Sequence, residues 1–232
     1  MSRVPRFFAS AQNDCVRRAA DRGPLIADIC YNIDSFKSCS LKEVLLMSKI
    51  LVVSGHPRLA QSLANRTILE TLKEEGPDFT LLRLDEEGWE PQVEKDQALL
   101  KDADVIVFQF PIFWYSYPAL MKHWVEDVFA HGFAYGTAGT ALKGKKFQIS
   151  FTTGSPASAY RAGGPNGHVM EDFLFNFQQI AALCGMEYEE PIYTNGCAYI
   201  PGVSPEFVKD RVIKDCEAHG AKLAERLKAL SK

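Results

Sequence analysis

His56, Ser62 and Asn65 stand close together behind a short apolar run, and their types suit the binding of an anion. The run, Ile50 to Val53, is rich in β-branched residues and bounded by Gly55 and Pro57, which predicts a strand buried on both faces. Ser62 then leads into a helical pattern. A strand that feeds a helix through a small polar loop aims unpaired backbone N–H groups outward, where they favour a phosphate. Ser62 suits the N-cap, and its hydroxyl can also donate to such a group. His56 could cap a turn, but its place at a strand end before a helix start favours ligand contact. Neither GxxxxGK nor GxGxxG occurs here, so the loop is not that of a nucleoside triphosphatase or a dinucleotide fold.

A second group is aromatic. Ile112, Phe113, Trp114 and Tyr115 follow another apolar run in a segment bracketed by Pro111 and Pro118. Phe110 belongs in the core, but loops run over the surface, and exposed rings held between prolines make a stiff wall for a flat ligand. The third group, Thr152, Thr153, Gly154 and Ser155, offers hydroxyls and a close backbone approach at Gly154. A phosphate at one loop and a planar ring between two others describe a flavin mononucleotide half.

The elements that must carry these loops alternate. Strands are expected at Ile50 to Val53, Phe79 to Leu84, Val105 to Phe110, Lys146 to Phe151 and Met186 to Tyr193. Helices are expected at Ser62 to Glu75, around Gln97 to Lys101, and at Tyr117 to Phe129, Val169 to Cys184 and Pro205 to Leu230. That alternation predicts an α/β fold, a flavodoxin-like doubly wound five-stranded parallel sheet of order 2-1-3-4-5. In such sheets ligands bind outside the carboxyl ends of the strands, at the switch point, and the three loops follow strands one, three and four.

Composition narrows the class. With 232 residues and 47% hydrophobic content, one substantial core is expected. A net charge of -3 provides no basic field for nucleic acid. No run is apolar enough to span a bilayer. The 6 cysteines form no CxxC pair, so neither a disulfide framework nor a metal site is indicated, and reduced thiols in a cytoplasmic protein fit. Cys184 is expected to be buried and inert, and His123 and His131 to complement helix dipoles. Residues 1–46 differ from the rest: arginine-rich, with scattered acids and no periodicity. They read as an extension outside the core, with the working domain over residues 47–232.

The stretches SGHP…SLAN, QFPIFWYSYPALMKHWVEDVF, HGFAYGTAGTALKGK and TTGSPASAY together resemble the flavodoxin-like NAD(P)H:quinone oxidoreductases. The likeness is greatest to the bacterial branch that includes the ancillary oxidoreductases of glutathione-gated potassium-efflux systems. It implies bound FMN, with FAD as the alternative used by the animal enzymes. It implies phosphate contacts at His56, Ser62, Leu63, Ala64 and Asn65. The ring would lie against Ile112, Phe113, Trp114 and Tyr115 and against Thr152, Thr153, Gly154 and Ser155. It further implies a homodimer in which an aromatic of the partner subunit closes the substrate pocket. Tyr135, with Phe133, matches that element. Tyr160 matches the tyrosine that helps to stabilise charge on the reduced flavin, while His168 lies two positions beyond the matching histidine. Ser155 replaces the second glycine of the family's TTGG, which would narrow the site if that residue needed positive φ.

The resulting expectation is a two-electron, ping-pong reductase that takes hydride from NAD(P)H and delivers it to a quinone or related acceptor. The competing reading is a regulatory subunit docked on a membrane potassium-efflux transporter, with redox activity secondary. A one-electron carrier would be expected to be far more acidic.

Overall fold

The computed structural model describes residues 48–232; the expected extension over residues 1–46 lies outside the described residues. Five parallel segments make the sheet path: β1 (Ile50–Ser54), β2 (Thr80–Arg83), β3 (Val105–Pro111), β4 (Lys146–Thr152) and β5 (Glu187–Tyr188), in the order β2-β1-β3-β4-β5. A sixth, β6 (Ile192–Thr194), pairs with the far end of β4. The expected fifth strand is therefore present but split. Pro191 has no N–H to give the ladder, and the side chain of Gln148 fills the interruption by donating to the Glu190 carbonyl at 3.0 Å.

Strand alternation divides the core. Ile50, Val52, Val105 and Val107 face α1 (Leu63–Glu75) and the long C-terminal helix Glu206–Leu230. Leu51, Val53, Ile106, Phe108 and Phe110 face the opposite layer. That layer holds a one-turn α2 (Leu84–Glu87), α3 (Val93–Asp102), α4 (Ala119–Val128) and α5 (Phe175–Cys184). The C-terminal helix, α6, lies tight against α1 because of Gly220: a Cβ there would fall 2.6 Å from Thr71 Cβ and 2.9 Å from the Ile68 carbonyl.

One helix starts later than its periodicity predicts. Val169 to Cys184 contains a 3-10 turn, Met170–Phe173, before α5 begins at Phe175. In the first turn of α5 the Phe177 amide is shared between Asn176 Oδ1 at 3.0 Å and the Leu174 carbonyl at 3.1 Å. Gly185, at φ 68, ends α5 in the left-handed conformation. The 3-10 turn matters for function because it delivers Phe173 to the loops at the sheet's carboxyl edge.

Candidate functional site

The first loop is built around Asn65, which is buried. Its amide group donates to Ser62 Oγ and Thr152 Oγ1, both at 3.2 Å, and its carbonyl oxygen accepts from Gln109 Nε2 at 2.8 Å. One side chain thus ties α1 to β3 and β4. Ser62 is the N-cap: Oγ accepts the Asn65 N–H at 3.2 Å. Having spent only its lone pairs, the hydroxyl still has its proton to give. The amides of Leu63 and Ala64 have no acceptor among the described residues, as expected for the first turn of a helix. His56 Nδ1 accepts the Arg58 N–H at 3.0 Å, which places the imidazole proton on Nε2. Burial is the main cause holding the His56 pKa below its ordinary value, so the ring is a neutral donor at pH 7.

The second loop is a strained turn. Phe113 and Ser116 exchange backbone hydrogen bonds of 2.9 and 3.1 Å across Trp114 and Tyr115. Among the described residues those two are the non-glycine positions of positive φ, at 48° and 67°. A two-residue turn with φ above zero at both centres normally carries Asn-Gly, and bulky residues there cost on the order of 1–3 kcal/mol each. Here the turn holds a tryptophan 94% exposed and a tyrosine 52% exposed. Its frame is anchored to β4 through Ile112 N–H to the Thr152 carbonyl, 2.8 Å. The amides of Trp114 and Tyr115 have no acceptor among the described residues.

The third loop is joined to a fourth that sequence reasoning passed over. Thr153 N–H donates to the Thr194 carbonyl at 3.0 Å, Gly196 N–H to the Ser155 carbonyl at 2.8 Å, and Cys197 N–H to the Thr153 carbonyl at 2.8 Å. Thr153 is therefore committed, and Gly154 and Ser155 are the residues of this turn with amides to spare. Gly154 has an ordinary φ, and a Cβ on it would lie 3.7 Å from Ala198 Cβ. Its value is the open space beside its backbone. Ser155 does not have positive φ either, so replacing the family's glycine introduces no backbone strain.

The loops enclose adjoining cavities. One, of about 320 Å³, is lined by His56, Ser62 to Asn65, Ile112, Phe113, Thr152 to Gly154 and Cys197 to Tyr199. The other, of about 420 Å³, is lined by Ile112, Trp114, Tyr115, Gly154, Ser155, Tyr160, Asn166 and Ala198. Ile112, Gly154 and Ala198 belong to both. A donor-rich cavity thus adjoins one bounded by rings and free amides.

Phe173 organises the second cavity from behind. It stacks on Tyr115 at 5.5 Å and meets Tyr160 edge-on at 5.8 Å. His168 also touches Phe173, at 6.1 Å, but its Nδ1 is held by Asp172 Oδ2 at 3.0 Å and it lines neither cavity. Phe133 and Tyr135 pack half-buried on the core, with Tyr135 against His131 at 5.5 Å, and also line neither cavity of their own chain. Cys197, Ala198 and Tyr199 were missed, although the rule that selected the other loops applied to them: they follow a strand at the sheet's carboxyl edge. Among the described residues no cluster suited to a metal occurs, and no helix is long and apolar enough to cross a membrane.

A family model described as the flavodoxin-like fold matches residues 48–218. The chain belongs to this flavodoxin-like family. Among curated proteins it is 43% identical over 142 residues to the uncharacterized NAD(P)H oxidoreductase YrkL of Bacillus subtilis, covering 60% of this chain and 81% of that one. It is 38% identical over 155 residues to the glutathione-regulated potassium-efflux ancillary protein KefG of Yersinia enterocolitica, covering 62% and 79%. Among solved structures, the general stress protein 14 of Treponema denticola in complex with FMN is 29% identical, with a TM-score of 0.67 over 78% of this chain and 99% of that one. An NADPH-quinone reductase from P. pentosaceus is 28% identical, with a TM-score of 0.60 over 75% and 98%.

Proposed function

We propose that the chain is an FMN-dependent NAD(P)H oxidoreductase acting on a quinone or a related acceptor. The observation that carries this reading is the sharing of Ile112, Gly154 and Ala198 between a donor-rich cavity and an aromatic one. A molecule with a phosphate at one end and a flat ring at the other fits both, and a relative of the same fold is solved with FMN. FAD is the alternative cofactor. Bound flavin would supply the two-electron chemistry, accepting hydride from the nicotinamide and releasing it to the acceptor.

The residues then divide the work. The Leu63 and Ala64 amides, the Ser62 hydroxyl and His56 Nε2–H would hold the phosphate, helped by the α1 dipole. Asn65 serves indirectly, since its groups are spent on Ser62, Thr152 and Gln109. Phe113, Trp114 and Tyr115 would bound one side of the ring system. The Gly154 and Ser155 amides and the Tyr160 hydroxyl would place donors where negative charge develops on reduction. Tyr135 and Phe133, which line neither cavity of their own chain, would serve the site of a second copy in a homodimer. Reconstitution with FMN followed by a steady-state assay with NADPH and a benzoquinone tests the reading. Parallel initial-rate lines are expected, and protein that binds FMN without oxidising NADPH or NADH would overturn it.

A second reading is favoured by the likeness to KefG, which is named as ancillary to a potassium-efflux system. In it, the chain would dock on such a transporter through a protein surface. Co-purification with the transporter, and efflux unchanged in a flavin-free variant, would distinguish that role from the enzymatic one.

A further inference from the structure

Two thiols meet at the wall of the candidate site. Cys197 lines the donor-rich cavity beside Gly154 and Ala198 and is half-buried. Cys216 is buried on α6, and its Sγ lies 4.0 Å from that of Cys197. Neither is used by the chemistry proposed above. We propose that Cys197 and Cys216 are a redox-responsive pair: a hydroperoxide-class oxidant links them in a reversible disulfide, and the linkage resets the cavity wall.

Reach and leverage both support this. Closing from 4.0 Å to a bond of about 2.05 Å needs roughly 2 Å of movement. Cys216 sits in a packed helix, whereas residues 196–200 have no regular structure, so the movement falls on Cys197. Cys197 is not free to move alone. Its N–H holds the Thr153 carbonyl, and the neighbouring Gly196 N–H holds Ser155. Drawing Cys197 toward α6 therefore pulls on the turn whose Gly154 and Ser155 amides face the cavities.

The two sulfurs are also unequal. The Cys216 thiol and then the Arg211 guanidinium favour the Cys197 thiolate, lowering its pKa, whereas Cys216 is held well above the ordinary thiol value by that same hydrogen bond and by burial. Cys197 is also the thiol at the cavity, half-buried where Cys216 is buried, so the oxidant reaches it first: Cys197 is the nucleophile and Cys216 the resolving thiol. Cys197 sulfur attacks the hydroperoxide; the O–O bond breaks, one oxygen stays as the sulfenic acid and the other leaves as alcohol or water. Cys216 sulfur then attacks Cys197, expelling that oxygen as water once a proton is supplied. The dithiol loses two electrons and two protons, and the peroxide takes both. Cys184 is an internal contrast: it is buried with no second thiol beside it among the described residues, and burial pushes its pKa up to about 11.

The test is brief treatment of the reduced full chain with hydrogen peroxide, followed by intact mass and non-reducing peptide mapping. Expected are the loss of two hydrogens, a peptide linking Cys197 to Cys216, and reversal by dithiothreitol. In Cys216→Ser, Cys197 should stop at sulfenic acid and be captured by a cyclic dione. Thiols that remain free, or Cys197 linked instead to Cys15, Cys30 or Cys39, would overturn the pair. The effect on the cavity rests on the flavin reading and is read by FMN titration of the two forms. The oxidised form should bind several-fold more weakly, with no such difference in Cys216→Ser; equal affinity would overturn the reset of the wall. Should the reduced protein fail to bind FMN, the flavin reading falls, while the mass result still decides the pair.

Discussion

At the residue scale, the site depends on side chains held in conformations or roles that a sequence pattern disguises. Trp114 and Tyr115 occupy left-handed positions that would favour Asn and Gly, so the turn itself gives no reason for rings there; under the proposed function they are a wall for the flavin. Trp114→Ala with Tyr115→Ala should leave the far-ultraviolet circular dichroism unchanged and weaken FMN binding by at least roughly 30-fold, since aromatic stacking contributes about 1–3 kcal/mol per ring and two rings are lost. Gly154→Val separates site from fold in another way. The backbone there has no positive φ, and a Cβ meets only Ala198 at 3.7 Å, so folding should survive while bulk enters both cavities. Isothermal titration should show FMN affinity reduced by at least about tenfold. The aromatic loop and the Thr152 to Ser155 turn were legible in the sequence because their composition is unusual for loops. Phe173 was not, because a phenylalanine inside an apolar segment reads as core; the 3-10 turn Met170–Phe173 is what brings it beside Tyr115.

At the scale of elements, the sheet order followed from alternation alone, since βαβ connections leave few arrangements. What alternation could not give was the break in the fifth strand, set by Pro191 and covered by Gln148, nor the loop that follows it. The same region depends on His219 of α6. Its Nε2 lies 2.8 Å from Ser150 Oγ and its Nδ1 2.9 Å from Thr194 Oγ1, so one imidazole joins α6 to β4 and β6. Burial, with a smaller contribution from Lys222, pushes its pKa down to about 3. The folded state thus refuses a proton that the unfolded chain accepts near pH 6.5. Stability from this group is complete above that pH and is lost as pH falls toward 3. Compared with His219→Gln, the wild type should lose about 2 kcal/mol of relative stability between pH 7 and 5, from about 1.36 kcal/mol per unit. Urea unfolding of both proteins at the two pH values measures this. A gap that does not change with pH would mean that His219 takes a proton in the fold as readily as in the unfolded chain.

At the scale of the whole molecule, Phe133 and Tyr135 stand apart from the other residues expected at the site. Phe133 and Tyr135 pack on the core and stay out of both cavities. If a second copy receives them, light scattering should give twice the chain mass of 25.9 kDa. Tyr135→Ala should then raise the KM for the acceptor while FMN affinity is unchanged. Loss of FMN binding in that variant would place Tyr135 in its own chain's cofactor site instead. The proposed function stands on one requirement, that this chain hold a flavin. The most direct test is to purify the full chain, denature it with heat and identify what is released by absorbance and mass. Yellow protein releasing one FMN per chain is the predicted result; colourless protein that takes up neither FMN nor FAD on incubation would contradict the account.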